Sequence, residues 1–213
     1  MAQRICIMGA GPGGYVAAVR AAQRGADVTL IEKDAPGGTC LNWGCIPSKV
    51  LISAAERFMQ CREAADFGIE LTAPISIDMA RLMARKAKVI QDQIQGLHSL
   101  FAHHRIRYMQ GTAQILKTGV TEVFQADGPT AVVAWDRLIL ATGSRPMDLP
   151  GLPVDGRRIL SSNDAVRLEQ VPASLLIVGG GVIGCEFAHI FNALGAQVTV
   201  VEALDRQIGR AHV

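Results

Sequence analysis

An internal repeat constrains the fold of this chain more than any other feature of its sequence. When the sequence is shifted against itself by 170 positions, two copies of one unit align. Each copy has a short β-rich run, a glycine turn, an alanine-rich helical segment closed by a glycine, and a second β-rich run ending in an acid. The shared positions are Gly9, Gly11, Gly14, Gly25, Ala26, Val28, Thr29 and Glu32, which match Gly179, Gly181, Gly184, Gly195, Ala196, Val198, Thr199 and Glu202. The repeat predicts an α/β fold with two βαβ units.

The glycine spacing of each copy is GxGxxG between a predicted strand and a predicted helix. Such a turn lets backbone N–H groups approach a pyrophosphate at the helix N-terminus, where the helix dipole favours anions. Glu32 and Glu202 stand 23 positions after the first glycine of their copies, where a carboxylate can accept hydrogen bonds from ribose hydroxyls. One GxGxxG alone is weak evidence. Two copies in register predict two Rossmann-like units of the FAD/NAD(P)-binding fold, the second of them truncated.

The region between the two copies combines helical and β-rich patterns. Helical periodicity covers about residues 44–63 and 78–103. The β-rich runs lie near residues 105–116, 120–124, 131–134 and 137–140, and they predict a β-meander inserted into the first unit. The turn-rich segment 143–153 is interpreted as the linker to the second unit.

Two cysteines, Cys40 and Cys45, stand where a glycine loop meets a predicted helix. In a regular helix, residues five apart are separated by about 140° and about 7.5 Å of rise, which is too far for a disulfide. A bridge therefore needs a distorted turn, which Gly44 could permit. Distortion makes a disulfide easier to reduce, and a helix N-terminus lowers a thiol pKa, so the spacing favours a redox pair.

Two other interpretations of the pair are open, namely two buried structural thiols or half of a zinc site. A zinc site needs two more ligands. The remaining candidates are dispersed, since Cys6, Cys61 and Cys185 are scattered and His98, His103 and His104 follow a helical pattern rich in Arg, Lys and Gln. We expect no metal site in this chain.

The cysteine segment, GGTCLNWGCIPSK at residues 37–49, resembles the active-site segment of the class I pyridine nucleotide-disulfide oxidoreductases, most closely the members that oxidise dihydrolipoamide. Three further segments resemble the same family: GAGPGGY at residues 9–15, ATGSRP at residues 141–146 and GGGVIGCE at residues 179–186. The resemblance extends from residue 3 to about residue 206. It implies a FAD-binding domain at residues 1–147 and an incomplete NAD-binding domain at residues 148–213.

The resemblance also implies roles for individual side chains. Cys40 would be the interchange thiol that meets the substrate, and Cys45 the thiol that faces the flavin. Lys49 would lie beside the flavin ring, and Glu186 would pair with Lys49 near the nicotinamide. These four residues are the expected catalytic group.

The cofactor residues follow from the same motifs. Glu32 would hold the adenosine ribose of FAD, with Gly111 and Ala113 on the adenine side. The other expected FAD contacts are Gly9, Gly11, Gly14, Lys33, Gly38, Thr39, Ala141, Thr142 and Gly143. The NAD contacts would be Gly179, Gly181, Gly184 and Glu202. A carboxylate at position 202 repels a 2′-phosphate, which favours NAD over NADP.

The implied activity is electron transfer between a dithiol, protein-bound dihydrolipoamide, and NAD through FAD and a Cys40–Cys45 disulfide. The implied partner is the lipoyl-bearing subunit of a 2-oxo acid dehydrogenase complex, and the full-length protein would be a homodimer. Within the family, enzymes acting on glutathione or mercuric ion are alternatives. A non-catalytic flavoprotein module is an alternative of another class, although such a module has no need of both cysteines.

Composition and charge exclude several other classes. Lys and Arg total 21 against 19 Asp and Glu, without a basic cluster, so nucleic acid is not an expected partner. The longest apolar stretch, residues 175–185, contains four glycines and is too short to cross a bilayer. Five cysteines suit a reducing compartment. We expect a soluble, cytoplasmic protein without a signal peptide, with a mitochondrial-type matrix as the alternative location.

The family pattern also predicts what this chain lacks. The His–Glu pair that would serve as acid and base toward the thiols, and the dimerisation domain, have no counterpart in the sequence. Residues 208–213 depart from the family pattern and resemble one reading frame of a sequencing-library adapter. We therefore expect an N-terminal fragment with negligible turnover by itself.

Overall fold

The computed structural model describes residues 2–125 and 128–208, so residues 209–213 of the atypical C-terminal segment lie outside the described part. The chain divides into two compact units, each assembled from two stretches. The first comprises Met1–Cys45 and Val89–Met147, and the second comprises Ile46–Lys88 and Asp148–Val213. The division at residues 1–147 and 148–213 into FAD-binding and NAD-binding domains stays a prediction.

The helices are α1 (Pro12–Gln23), α2 (Gly38–Asn42), α3 (Cys45–Arg62), α4 (Met79–His103), α5 (Ser162–Ala165) and α6 (Val182–Ala193), with a 3₁₀ turn at Ala64–Phe67. The strands are β1 (Arg4–Met8), β2 (Asp27–Glu32), β3 (Arg107–Gln110), β4 (Thr112–Lys117), β5 (Val120–Phe124), β6 (Ala131–Ala134), β7 (Arg137–Leu140), β8 (Ser174–Val178) and β9 (Gln197–Val201).

A four-stranded parallel sheet with the order β3-β2-β1-β7 forms the centre of the first unit. Its two middle strands carry consecutive apolar residues at positions 5–8 and 30–31, as expected for parallel strands covered on both faces. Ile7, Val28 and Leu30 are fully buried and pack with Phe101 of α4. This packing places the carboxyl ends of β1 and β2 side by side, where the first glycine turn lies.

The predicted β-meander is present as an antiparallel three-stranded sheet with the order β4-β5-β6. The β-rich run at residues 105–116, however, forms two strands. Gly111 lies between the two strands. Only glycine fits there, because a Cβ at this position would lie 2.6 Å from the Phe124 carbonyl oxygen. The meander packs on the parallel sheet through Val123 and Val133, which form a buried cluster with Cys6, Ile31 and Met109. Thr121 is fully buried and accepts a hydrogen bond from Trp135 Nε1 at 3.0 Å.

The second unit contains the second βαβ copy, with β8 and β9 paired in parallel and connected by α6. Phe187, Ile190 and Phe191 of α6 pack against Leu51 of α3 and Leu82 of α4. The buried Lys86 ammonium donates to the Val166 carbonyl oxygen at 2.6 Å. The α/β fold with two βαβ units is thus confirmed, and among the described residues the sheet of the second unit has two strands, β8 and β9.

Candidate functional site

The first glycine turn, between β1 and α1, is built around close backbone contacts. Gly9 has φ +103°, and its N–H donates to the Ile31 carbonyl oxygen at 2.7 Å. A Cβ on Gly9 would lie 2.1 Å from the Ala141 carbonyl oxygen. A Cβ on Gly14 would lie 1.7 Å from the Gly9 carbonyl oxygen. Any larger residue at either position would displace backbone, so both glycines are required by the turn itself.

Glu32 lies at the end of β2, and its buried carboxylate accepts hydrogen bonds from the Ala10 N–H at 2.7 Å and the Asp34 N–H at 3.0 Å. Each carboxylate oxygen has a second lone pair, so these bonds leave capacity for ribose hydroxyls. The acid predicted from the sequence therefore stands directly beside the turn.

A second loop, after β2, lies directly against the glycine turn. The Gly37 N–H donates to the Ala10 carbonyl oxygen at 2.8 Å. Gly38 has φ +58°, and a Cβ on it would lie 2.6 Å from the Gly11 Cα. This contact brings Gly38 and Thr39, at the start of α2, to the predicted phosphate-binding turn.

The two cysteines lie on different helices of the structure. Cys40 is in the middle of the short helix α2, whereas Cys45 is exposed and is the first residue of α3. The Trp43 N–H donates to the Thr39 carbonyl oxygen at 2.9 Å, and a Cβ on Gly44 would lie 3.1 Å from that same oxygen.

A bridge between the two cysteines was expected to need a distorted turn at Gly44. The structure has a turn at residues 43 and 44, between α2 and α3. The expectation of a single helix reached by a loop misses α2, because a five-residue helix is too short to show periodicity. Glycine at position 44 suits the close approach of the Thr39 carbonyl oxygen rather than a left-handed conformation, since the φ of Gly44 is not positive.

Lys49 and Glu186 form an ion pair within the second unit. The second Glu186 oxygen, Oε2, accepts a hydrogen bond from the Ser48 hydroxyl at 3.2 Å. Ser48 is only 6% exposed, whereas the side chains of Lys49 and Glu186 are 57% and 27% exposed. Sequence reasoning missed Ser48; its position just before Lys49 was the available indication.

The second glycine turn repeats the hydrogen bonds of the first. The Gly179 N–H donates to the Val201 carbonyl oxygen at 2.8 Å, and a Cβ on Gly184 would lie 2.0 Å from the Gly179 carbonyl oxygen. Glu202 accepts hydrogen bonds from the Gly180 N–H at 2.7 Å and the Leu204 N–H at 2.9 Å. The hydrogen bonds from these N–H groups, that of Leu204 first, lower the Glu202 pKa and so favour its ionised form.

The remaining predicted FAD residues lie on the first unit. Lys33, Gly111 and Thr112 line a cavity of about 550 Å³, together with Phe124. Ala113 packs against the cluster formed by the meander, and Ala141, Thr142 and Gly143 follow β7. The cavity has the size of a small-molecule site. The glycine turn and Glu32 have the arrangement that a dinucleotide-binding turn needs, and the cavity lies next along the chain from Glu32, at Lys33.

The scattered cysteines and histidines do not gather into a metal site. Across residues 2–125 and 128–208, no three His, Cys, Asp or Glu side chains come close enough together to hold a metal ion. His98 packs edge-on against Phe101 and Tyr108, and His104 lies one residue beyond the end of α4. Within the same described ranges, no helix has both the length and the apolar character needed to cross a membrane.

Two glycine turns, each followed by a helix and by an acid that reaches back to the turn, define an α/β protein of the dinucleotide-binding type, in which the helix that carries Cys40 starts against the first turn. The family model for pyridine nucleotide-disulphide oxidoreductases matches residues 3–212. The chain belongs to this family, which confirms the resemblance seen in its motifs.

Similar proteins include a dihydrolipoyl dehydrogenase of Bacillus subtilis, 45% identical over 205 residues, with 96% of this chain and 44% of the relative aligned. Dihydrolipoyl dehydrogenase 2 of Haloarcula marismortui is 46% identical over 204 residues, covering 94% and 43% respectively. The crystal structure of LpdA from Mycobacterium tuberculosis has a TM-score of 0.88 and 30% identity, covering 96% of this chain and 45% of that one. The chain thus spans less than half the length of these relatives.

Proposed function

We propose that the protein of which this chain forms part is a FAD-dependent oxidoreductase that passes electrons between protein-bound dihydrolipoamide and NAD through a Cys40–Cys45 disulfide. The observation that carries the proposal is the contact of Gly38 with Gly11, which sets the loop leading to Cys40 directly on the first glycine turn. Cofactors carry the redox chemistry of such enzymes and the protein positions them, so a cysteine-bearing helix that starts at a dinucleotide-type turn supports this proposal.

The cysteines carry the thiol chemistry. A substrate thiolate attacks the Cys40 sulfur of the disulfide, a mixed disulfide forms, and Cys45 leaves as a thiolate. The second substrate thiol then attacks the substrate sulfur bound to Cys40, which releases the oxidised substrate and the Cys40 thiolate. Two electrons thereby pass to the cysteine pair, and two protons are released from the substrate thiols. FAD, when bound, would supply a two-electron acceptor between the cysteine pair and NAD⁺; of the two protons, one would accompany the electron pair in the hydride and the other would pass to solvent.

The second unit supplies the residues for the nicotinamide cofactor. Glu202 is held as an anion by two backbone N–H groups, so it accepts ribose hydroxyls and repels a 2′-phosphate. The Lys49–Glu186 pair, with Ser48 on the second carboxylate oxygen, serves the nicotinamide end. This arrangement supports NAD as the cofactor.

The partner and assembly are proposed on the same basis. The relatives are named for the oxidation of dihydrolipoyl groups, which favours a lipoyl-bearing protein as the electron donor. The family resemblance of the motifs implies that this lipoyl-bearing protein is a subunit of a 2-oxo acid dehydrogenase complex and that the full-length protein is a homodimer. Five cysteines in the chain are consistent with a cytoplasmic location, where reducing conditions keep other thiols unpaired.

Differential alkylation of the oxidised 213-residue chain tests the thiol step without requiring turnover. We expect one disulfide between Cys40 and Cys45, which dihydrolipoamide opens faster than glutathione does. Cys40→Ser and Cys45→Ser should each abolish it, whereas Cys61→Ser, at an exposed position on α3, should not. A chain that forms no such disulfide under oxidising conditions contradicts the proposal.

A further inference from the structure

We propose that Asn42 is a positioning residue for the Cys40–Cys45 pair, and that its side-chain amide sets how readily the disulfide closes. This inference rests on the proposed function, because it assumes that the two cysteines cycle between dithiol and disulfide. Asn42 stands between the cysteines in sequence, as the last residue of α2.

The Asn42 amide is surrounded by backbone carbonyl groups. Its Nδ2 lies 3.0 Å from the Gly38 oxygen, 3.2 Å from the Pro36 oxygen and 3.4 Å from the Ala35 oxygen. Three acceptors around one atom require the NH₂ group there, so the orientation of the amide is set by its surroundings. Since an NH₂ group has two hydrogens, one of them is shared between two carbonyl oxygens.

The carbonyls of Ala35 and Pro36 belong to the loop that rests on the first glycine turn, and that of Gly38 belongs to the first residue of α2. Within that loop, the Gly37 N–H binds the Ala10 carbonyl oxygen, and Gly38 packs on Gly11. The hydrogen bonds of the Asn42 amide therefore hold the C-terminal end of α2 against a segment that is positioned by its contacts with the glycine turn. Cys40 lies on α2 between Gly38 and Asn42, so its position is restrained relative to the turn.

This restraint on α2 has a direct consequence for the disulfide. Closing the bridge requires Cys40 and Cys45 to meet across Trp43 and Gly44, and a restrained α2 reduces the conformational freedom lost on closure. An amide suits this role because its NH₂ group donates hydrogen bonds to the carbonyl oxygens. A carboxylate of the same shape would place negative charge against three carbonyl oxygens and push α2 away from the loop.

The test compares Asn42→Asp and Asn42→Ala with the unaltered 213-residue chain in glutathione redox buffers. In each buffer, the protein dithiol and glutathione disulfide exchange to give the protein disulfide and two glutathione molecules. Mass spectrometry after alkylation gives the closed fraction of the Cys40–Cys45 bridge. Asn192→Asp is the matched control, because Asn192 is exposed on α6 and undergoes the same chemical change.

We expect the closure constant to fall about tenfold in Asn42→Asp, equivalent to about 30 mV for a two-electron couple, and about threefold in Asn42→Ala. Asn192→Asp should leave it unchanged. Urea unfolding of each reduced protein separates positioning from stability. A lower unfolding midpoint with an unchanged closure constant would show a merely structural role and overturn the inference.

The remaining outcomes are equally decisive. If Asn42→Asp does not fold, Asn42→Ala provides the comparison, and an unchanged closure constant in that variant overturns the inference. If the unaltered chain closes the bridge and both variants close it equally well, only the role of Asn42 fails. If the unaltered chain never closes the bridge, the proposed function fails and the role of Asn42 with it.

Discussion

Lys49 and Glu186 are 137 positions apart in sequence, yet their side chains form an ion pair between α3 and α6. The buried Ser48 hydroxyl binds the other oxygen of the same carboxylate. Both carboxylate oxygens are thus engaged by neighbouring residues of one helical turn. This fixes the orientation of Glu186 and joins the first segment of the second unit to its βαβ copy.

Ser48→Ala should lower the free energy of unfolding by about 1 kcal/mol, because a part-buried carboxylate oxygen loses a hydrogen bond. Urea unfolding measures this change. Ser99→Ala is the control, since Ser99 is exposed on α4 and donates only to the Gln95 carbonyl oxygen of its own helix. The control should stay within about 0.5 kcal/mol of the unaltered chain. Equal effects of the two substitutions would contradict a specific role for Ser48.

Gly14→Ala should abolish FAD binding and lower the free energy of unfolding by about 2 kcal/mol or more, because the new methyl group meets the Gly9 carbonyl oxygen. Flavin fluorescence quenching and urea unfolding measure the two effects. In Gly96→Ala the methyl group meets no atom within 4 Å and lies inside α4, so this control should raise stability by up to about 1 kcal/mol. FAD binding that survives in Gly14→Ala would contradict the assigned site.

The ion pair between Arg4 and Asp136 should make stability depend on pH in the acid range. Hydrogen bonds from the Arg4 side chain and N–H lower the Asp136 pKa from 3.8 to about 2. A carboxyl group with a lowered folded-state pKa contributes stability that is complete above its unfolded-state pKa. That contribution is lost as the pH falls from about 4 to about 2.

Asp136→Asn should therefore be less stable than the unaltered chain above pH 4, with a difference that shrinks toward pH 2. Thermal unfolding between pH 2 and 6 measures it. Asp148→Asn, at an exposed loop position after β7, should show no such trend. A difference for Asp136→Asn that is constant with pH would show that the carboxylate charge is not responsible.

Cys6 should resist alkylation in the folded protein, because it is fully buried and desolvation raises its pKa to about 11. Cys61 is exposed on α3 and should react readily at pH 8. Peptide mapping after iodoacetamide treatment, with and without urea, distinguishes them. Similar labelling rates for Cys6 and Cys61 without urea would contradict the packing of β1 described above.

The elements that the sequence predicts well are those set by local patterns. The glycine turns, their helices, the acids Glu32 and Glu202 and the meander all follow from spacing and periodicity. The helix α2 was not predicted, because its few residues have no periodic signature and its conformation depends on contacts of Gly38 and Gly44 with distant or folded-back backbone. The role of Asn42 was missed because its acceptors are carbonyl groups, which every residue carries.

The sequence by itself determined that this chain has two dinucleotide-type βαβ units, with a cysteine pair between them, since glycine spacing and apolar periodicity are local properties of a chain. Only the tertiary structure decided which groups act together. Three contacts arise only when packing brings separate segments together. Gly38 approaches Gly11, three carbonyl groups surround the Asn42 amide, and Ser48 and Lys49 both bind the Glu186 carboxylate. Such contacts depend on the close packing of the folded interior, which no single stretch of sequence encodes.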